Sequence, residues 1–180
     1  MPNEIEIKVL GIEKKSFETK LKLLGAKKIF AGMIICRHFD YPNHSLRSKG
    51  KLIRVRTCGP NTTEFAYKGP KKIINNCKIR EEIQTTVKDG EQVAEILKNI
   101  GLKESFYCEK KRTTYSLGNI HIDIDEYPKK IVYAEIEAPN QKTIKNLLKK
   151  LGNYEVSCET AEELFIRVWP KIKLNGLRFE

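Results

Sequence analysis

The chain has 180 residues, 40% of them hydrophobic and 32% charged, which suits one globular domain. Its 34 Lys and Arg against 23 Asp and Glu give a net charge of +11, which favours an anionic partner such as nucleic acid, an anionic membrane surface or a phosphorylated small molecule. No apolar run reaches the ~18–20 residues of a membrane span, and the first residues lack the basic-then-apolar pattern of a signal peptide. We therefore expect a cytoplasmic protein whose five widely spaced cysteines, with no C-x-x-C pair, are reduced thiols.

Alternation of apolar and polar residues predicts eight short antiparallel strands. In chain order they cover residues 3–10, 33–40, 51–58, 63–69, 79–87, 106–115, 119–126 and 131–138. Apolar residues at helical spacing predict three helices between them, ending at Gly25, Gly101 and Gly152. A fourth helix is predicted over 162–169. The sequence thus indicates an α+β fold, with one domain over 1–170 and a C-terminal tail or lid over 171–180.

Charged residues share one face of most predicted strands, opposite an apolar face. In the first strand, Glu4, Glu6 and Lys8 alternate with apolar residues. For any single strand, the solvated face of an ordinary antiparallel sheet is the simpler interpretation. Whole strands here carry charges of one sign, however, which favours a barrel with its apolar faces outward under the helices and its charges converging inside.

The interior of such a barrel would be formally neutral. Its cations would be Lys8, Arg54, Arg56, Lys68, Arg80, Lys110 and Arg112. Its anions would be Glu4, Glu6, Glu82, Asp123, Asp125, Glu135 and Glu137. A triphosphate of about −4 together with two divalent cations would keep that balance. Lys and Arg bind phosphate oxygens, and paired carboxylates suit Mg²⁺ or Mn²⁺, so the residues predict a metal-dependent polyphosphate site.

Six sequence blocks in a fixed order carry a family resemblance. They are Glu4-x-Glu6-x-Lys8, FDYPN with the following LR and LIRVR, YKGP, KIREEI, EKKRTTY, and IDIDEY with AEIEAP. Over residues 4–139 this set resembles the CYTH family of triphosphate tunnel enzymes, and within it the CyaB-like branch of class IV adenylyl cyclases, related to thiamine triphosphatases. The resemblance implies an eight-stranded antiparallel closed β-barrel, the triphosphate tunnel, with flanking helices.

The resemblance also implies roles at the matched positions. Substrate binding falls on Lys8, Arg54, Arg56, Lys68, Arg80, Glu82, Lys110 and Arg112. Binding of Mg²⁺ or Mn²⁺ falls on Glu4, Glu6, Asp123, Asp125, Glu135 and Glu137. Lys8 also receives a catalytic role, which is to help activate the attacking water. Two residues depart from the family pattern: Gln84 stands where an acid is common, and His38, which we interpret as structural, stands where some members have Tyr.

Three functions fit these observations. The first is hydrolysis of tripolyphosphate, a nucleoside triphosphate or thiamine triphosphate, favoured because water is the default nucleophile in a site that grips only phosphate. The second is a class IV adenylyl cyclase that makes cyclic AMP and pyrophosphate from ATP. The third, an RNA- or polyphosphate-binding module without catalysis, leaves the acidic strands unexplained.

We therefore expect a triphosphate-containing small molecule as the partner, with neither a membrane nor nucleic acid. A homodimer stays open. The SKGK segment lacks the spacing of a P-loop, which excludes that class of nucleotide-binding protein.

Overall fold

Eight antiparallel strands close into a barrel in the computed structural model, which describes residues 3–180, with side chains from Ile5 onwards. The strands are β1 (Asn3–Leu10), β2 (Lys27–Asp40), β3 (Leu52–Cys58), β4 (Thr62–Lys68), β5 (Lys72–Ile74), β6 (Cys77–Val87), β7 (Lys103–Leu117), β8 (Ile120–Tyr127), β9 (Ile131–Glu137) and β10 (Glu155–Ser157). Around the barrel they run β1-β9-β8-β7-β2-β3-β4-β6, and β6 pairs back onto β1. The short strands β5 and β10 pair with β6 and β1.

Four helices lie outside the strands. They are α1 (Lys14–Leu23), α2 (Gly90–Asn99), α3 (Gln141–Leu151) and α4 (Ala161–Val168). Side chains define their starts: Asp89 accepts hydrogen bonds from the Glu91 and Gln92 amides at 2.9 and 3.1 Å, and Thr160 forms a reciprocal capping box with Glu163 at the start of α4. These local signals explain why the helices begin where they do.

The predicted α+β barrel and all eight predicted strands are confirmed, with two kinds of difference. The strands β2 and β7 are longer than predicted because they pair with each other as a ribbon from Lys27 opposite Ser116 to Asp40 opposite Lys103. The extension of β2 consists of two lysines followed by an uninterrupted apolar run from Ile29 to Met33, so it shows no alternation. The strands β5 and β10 have three residues each, too few to show a period, and exist because longer neighbours supply their hydrogen bonds.

The apolar faces of the strands point outward and lie under the helices, as predicted. One cluster joins Ile7, Ile122 and Ile136 of the barrel to Phe17 of α1 and Leu147 of α3, all of them buried. A smaller cluster packs α2 against β2 and β3. Because these contacts use the outer face, the alternation of each strand sends its charged residues inward.

One end of the barrel interior is apolar, which the sequence pattern did not indicate. Inward-facing Ile34, Tyr127 and Tyr133 pack against Leu164 and Phe165 of α4 in a single buried cluster. The tyrosine hydroxyls satisfy each other with a hydrogen bond of 2.9 Å.

The segment after α4 completes this apolar end. Leu177 accepts a hydrogen bond from the Glu109 amide at 2.9 Å and forms a bridge to Cys108, on the part of β7 that precedes its pairing with β8. Leu174 and Leu177 are both buried there. Residues after 170 therefore pack on the barrel. None of the helices in the described part of the chain is long and apolar enough to span a membrane.

Truncating Phe165 tests how much this apolar end stabilises the barrel. Phe165→Ala should lower the free energy of unfolding by about 3–5 kcal/mol, since it removes a fully buried ring. Ile166→Ala, at the neighbouring position with 71% of the side chain exposed, should change it by no more than about 0.5 kcal/mol. Urea unfolding of both variants measures the difference, and equal midpoints would show that α4 does not stabilise the barrel.

Candidate active site

A cavity of about 460 Å³ occupies the polar part of the barrel interior. The cations that line it from the strands are Lys8, Arg54, Arg56, Lys68, Lys78, Arg80, Lys110 and Arg112. The acids that line it are Glu6, Asp40, Asp123, Glu135 and Glu137 from the strands and Glu162 and Glu163 from α4. Glu82 and Asp125 do not line the cavity but hold the cations that do. The side chain of Glu4 lies outside the described residues, although its backbone pairs with Arg80.

Lys8 is the centre of one ion-pair cluster, between β1 and β9. Its Nζ lies 3.1 Å from Glu6 Oε1 and 3.0 Å from Glu135 Oε1, and Lys78 also pairs with Glu6. Burial alone would lower the pKa of Lys8, but the two carboxylates outweigh it and raise that pKa above its usual value. Lys8 is therefore a charged hydrogen-bond donor at neutral pH.

Asp125 is the centre of a second cluster, between β7 and β8. It is fully buried and accepts hydrogen bonds from Lys110 Nζ at 2.6 Å and from Arg112 Nε and Nη2, each at 2.7 Å. This bidentate contact fixes the plane of the guanidinium, because Arg112 and Asp125 are directly opposed in the register of the two strands.

Arg112 then joins the two clusters. Its Nη2 lies 3.0 Å from Glu135 Oε2, and its Nη1 pairs with Asp123. Burial alone would raise the pKa of Glu135, but Lys8, Lys110 and Arg112 hold it well below its usual range. For Asp123, burial outweighs the arginine and raises the pKa. Arg112 thus connects the acidic strands β8 and β9 to the basic strand β7.

A third cluster holds the guanidinium of Arg54 on β3. Arg54 Nη2 donates to Glu82 Oε1 at 2.9 Å and to Gln84 Oε1 at 3.1 Å. Lys68 shares Glu82 at 2.6 Å. Gln84, which departs from the family pattern, therefore orients an arginine in this structure.

The other two arginines of this wall have their own partners. Arg56 pairs with Glu64 at 2.5 Å, and Arg80 donates to the backbone oxygens of Gly69 and Gly50, the latter at 2.9 Å. A charged group held by a fixed partner loses little freedom when it binds an anion. The wall formed by β3, β4 and β6 therefore presents cationic donors in fixed positions to the cavity.

His38 faces the same cavity and has no ionic role at neutral pH. Its ring stacks on Phe106, with 4.3 Å between the ring centroids. Burial, together with the positive charges of Arg54 and Arg80, lowers the pKa of His38 to about 3, so the ring stays neutral.

Several site residues escaped the sequence analysis. Lys78 was missed because the strand was predicted to start at residue 79, whereas β6 starts at Cys77. Lys78 lies two residues before Arg80 and therefore on the same face. Two further cations come from loops and contact the first turn of α4: Arg47 lies 3.3 Å from Glu162, and Lys71 pairs with Glu163. The periodicity of apolar and polar residues, which identifies helices and strands, does not indicate contacts made by loops.

The chemistry of the acidic donor set fits a hard divalent cation. Glu6 on β1 lies opposite Glu137 on β9, and Glu135 is two residues further along the same face. Carboxylate oxygens are the donors that Mg²⁺ and Mn²⁺ prefer. Among the described side chains, no three His, Cys, Asp or Glu residues form a ready-made metal cage, since lysines and arginines occupy these carboxylates.

A closed antiparallel barrel that directs cations and carboxylates into one chamber defines a recognisable class. The family model for the CYTH domain matches residues 2–163, and the chain belongs to the CYTH family.

Curated relatives carry cyclase names. A protein of Methanocaldococcus jannaschii named "Putative adenylate cyclase" is 32% identical over 134 residues, which are 74% of this chain and 75% of that protein. Adenylate cyclase CyaB of Aeromonas hydrophila is 28% identical over 89 residues, 49% of this chain and 43% of that protein.

Solved structures share the fold. The PH1012 protein of Pyrococcus horikoshii OT3 is 25% identical with a TM-score of 0.75, covering 89% of this chain and 98% of that one. A Hippeastrum protein, described as a putative adenylyl cyclase with a dominant triphosphatase activity, is 17% identical with a TM-score of 0.71, covering 92% and 95%. These matches confirm the fold that the resemblance implied.

The depressed pKa of Glu135 predicts how the barrel responds to acid. A carboxyl whose pKa is lower in the folded than in the unfolded state stabilises the fold above the unfolded value, ~4.3, and this stabilisation is lost as the pH falls through the folded pKa. In EDTA, the unfolding free energy of the wild type should therefore fall more steeply below about pH 5 than that of Glu135→Gln. Glu95→Gln, at an exposed position of α2, is the matched control and should follow the wild type. Parallel curves for the wild type and Glu135→Gln would contradict the assignment.

Proposed function

We propose that this protein hydrolyses a triphosphate bound in the barrel cavity, with a divalent cation as cofactor. The substrate class is tripolyphosphate, a nucleoside triphosphate or thiamine triphosphate. The observation that carries the proposal is the ring of eight strand-borne cations around one chamber of about 460 Å³. These cations have protein partners, but they outnumber the acids that line the cavity, and this excess of positive charge favours an anionic ligand.

Phosphate binding falls to the two sides of the chamber. On one side Arg54, Arg56, Lys68 and Arg80 present donors held by Glu82, Glu64 and backbone oxygens. On the other side Lys110 and Arg112 are held by Asp125. Phosphoryl transfer requires little covalent participation by the protein. Positioning of the phosphates and neutralisation of their charge would therefore supply most of the catalysis.

The cation site is proposed for the acidic strands. Glu4, Glu6, Glu135 and Glu137 on β1 and β9 would hold Mg²⁺ or Mn²⁺, with Asp123 on β8 assisting. Asp125, which does not line the cavity, would assist by holding Lys110 and Arg112 in place. When bound, the cation would supply positive charge to the triphosphate and polarise a phosphoryl oxygen.

Lys8 receives a catalytic role as a donor. Its protonated amine, buried between Glu6 and Glu135, is placed to hold the attacking water or an oxygen of the transferred phosphoryl group by a hydrogen bond. Its raised pKa argues against Lys8 as a proton acceptor. This refines the general role in water activation that the family resemblance implies.

Adenylyl cyclase activity is the second candidate, and the names of the two curated relatives favour it. Both activities need the same grip on a triphosphate and differ in the nucleophile, which is water for hydrolysis and the ribose 3′-hydroxyl for cyclisation. The fold relative from Hippeastrum, described with a dominant triphosphatase activity, supports hydrolysis as compatible with this barrel.

Removing two arginines of the basic wall tests phosphate binding. Arg54→Ala combined with Arg56→Ala should weaken binding of tripolyphosphate by about 100-fold or more, since charge-assisted hydrogen bonds contribute ~1.5–3 kcal/mol each. Isothermal titration calorimetry measures the affinity. The matched control is Arg37→Ala, because Arg37 lies on the neighbouring strand β2 but pairs outside the cavity with Glu91 and Glu104. Equal affinities of the double variant and the control would refute the phosphate site.

³¹P NMR of the wild type with tripolyphosphate or ATP and Mg²⁺ or Mn²⁺ identifies the phosphorus-containing products of the reaction. Orthophosphate release without a cyclic product is the expected result, and it should stop when EDTA removes the cation. Pyrophosphate with a cyclic phosphodiester signal would instead establish the cyclase. Lys8→Ala, offered the same substrates, should lose turnover by a larger factor than it loses tripolyphosphate affinity. Turnover at the wild-type rate in Lys8→Ala would remove its catalytic role.

A further inference from the structure

Two cysteines lie side by side in the wall of the cavity. Cys36 on β2 and Cys108 on β7 are directly opposed in the antiparallel register, and both side chains are buried, with 7% and 3% of each residue exposed. Both line the same chamber as the phosphate-binding cations. We propose that Cys36 and Cys108 form a reversible disulfide, with a hydroperoxide as oxidant, and that this dithiol is an oxidation site of the chamber.

The register supplies the geometry that a disulfide needs. Directly opposed residues of antiparallel strands have Cα atoms ~4.5–5.5 Å apart, inside the range of ~4.4–6.8 Å found for disulfides. Cys58 also faces inward but opposes Ile34, so it is a diagonal neighbour of Cys36 at ~7–8 Å, too far to be bridged without backbone movement. Cys77 packs on the outer face of the barrel under the helices.

The chemical surroundings distinguish Cys36 from the other thiols. The hydrogen bond from Cys108, with Lys110, Arg54 and Arg56 nearby, lowers the pKa of Cys36 to about 5 in spite of burial. The same hydrogen bond, together with burial, raises the pKa of Cys108. Cys36 is therefore the more readily ionised of the two thiols, so we expect Cys36 to attack the oxidant and Cys108 to resolve the product.

The reaction balances as two steps. The Cys36 thiolate attacks one oxygen of hydrogen peroxide, the O–O bond breaks, hydroxide leaves, and a sulfenic acid forms on Cys36. Cys108 sulfur then attacks the Cys36 sulfur, the S–O bond breaks, and the leaving oxygen takes the Cys108 proton and departs as water. The proton that Cys36 lost when it ionised neutralises the hydroxide of the first step. Overall, two thiols and one hydrogen peroxide give one disulfide and two waters. Because both residues line the cavity but are nearly buried, the proposed reactant is a small hydroperoxide rather than a protein thiol.

Peptide mapping tests the pair directly. The reduced full-length protein is treated with hydrogen peroxide, blocked with iodoacetamide and digested with trypsin without reduction. The expected product joins the peptide 29–37, which carries Cys36, to the peptide 104–110, which carries Cys108, and dithiothreitol should release it. Oxidation of the more exposed Cys158 before this link forms, or failure of the link to form in folded protein, would overturn the proposal.

Two variants separate the steps. Cys108→Ser should leave Cys36 as a sulfenic acid that dimedone labels, while Cys36→Ser should give neither the link nor dimedone labelling at Cys108. Cys77→Ser, at a buried thiol outside the cavity, should form the link at the wild-type rate. Dimedone labelling of Cys108 rather than Cys36 would refute the assigned order. Because serine is slightly smaller and more polar than cysteine, circular dichroism of each variant is compared with the wild type to verify that the fold is retained.

Discussion

Closure of the sheet is the constraint on which the rest of this structure depends. Once β6 pairs back onto β1, the inward residues of the barrel strands face an enclosed interior, and most of the charged ones are largely buried. A charge in such a place is tolerated only with a partner of opposite sign and good hydrogen-bond geometry. The ion pairs of the chamber are therefore a condition for folding as well as a feature of the site, and Asp125, which holds both Lys110 and Arg112, shows this most clearly.

The barrel interior has an apolar, packed end and a charged end that contains the cavity. At one end, tyrosines, aliphatic side chains and Phe165 of α4 form an ordinary packed core. At the other, ion pairs leave a cavity. The packed end and the outer clusters under α1, α2 and α3 supply the hydrophobic stabilisation that the charged chamber does not. The fold can therefore tolerate a chamber rich in buried charge, because the same strands bury apolar residues on their opposite face.

Much of this arrangement could be predicted from the sequence, because the period of a strand fixes which residues share a face. The inward position of Arg54, Asp125 and Glu135 follows from alternation alone once the sheet is known to close. Closure itself was inferred from charges of one sign on whole strands, and from the family resemblance. The limits are equally physical. Lys78 depended on where β6 begins, and strand ends are set by hydrogen bonds to a neighbour rather than by local pattern.

Contacts between elements distant in the chain could not be predicted in this way. Arg47 and Lys71 reach α4 through loops whose path depends on the whole barrel. The opposition of Cys36 and Cys108 depends on the register between β2 and β7, which a bulge at His38 and Phe39 shifts by one residue. A one-residue error in that register would place the two thiols on opposite faces. Sequence period therefore identifies which residues are inside, while register decides which of them meet.

The resting network also constrains how the proposed chemistry begins. Glu6 and Glu135 are bonded to Lys8 in this structure, and three arginines of the chamber are bonded to Glu64, Glu82 and Asp125. A triphosphate arriving alone would bring its negative charge against these carboxylates, and a divalent cation arriving alone would meet the lysines. When the two arrive together, each offsets the charge that repels the other, and Lys8 can exchange a carboxylate for a phosphate oxygen without becoming unpaired. Under the proposed function, the ion pairs of the chamber thus favour a substrate that carries its own cation.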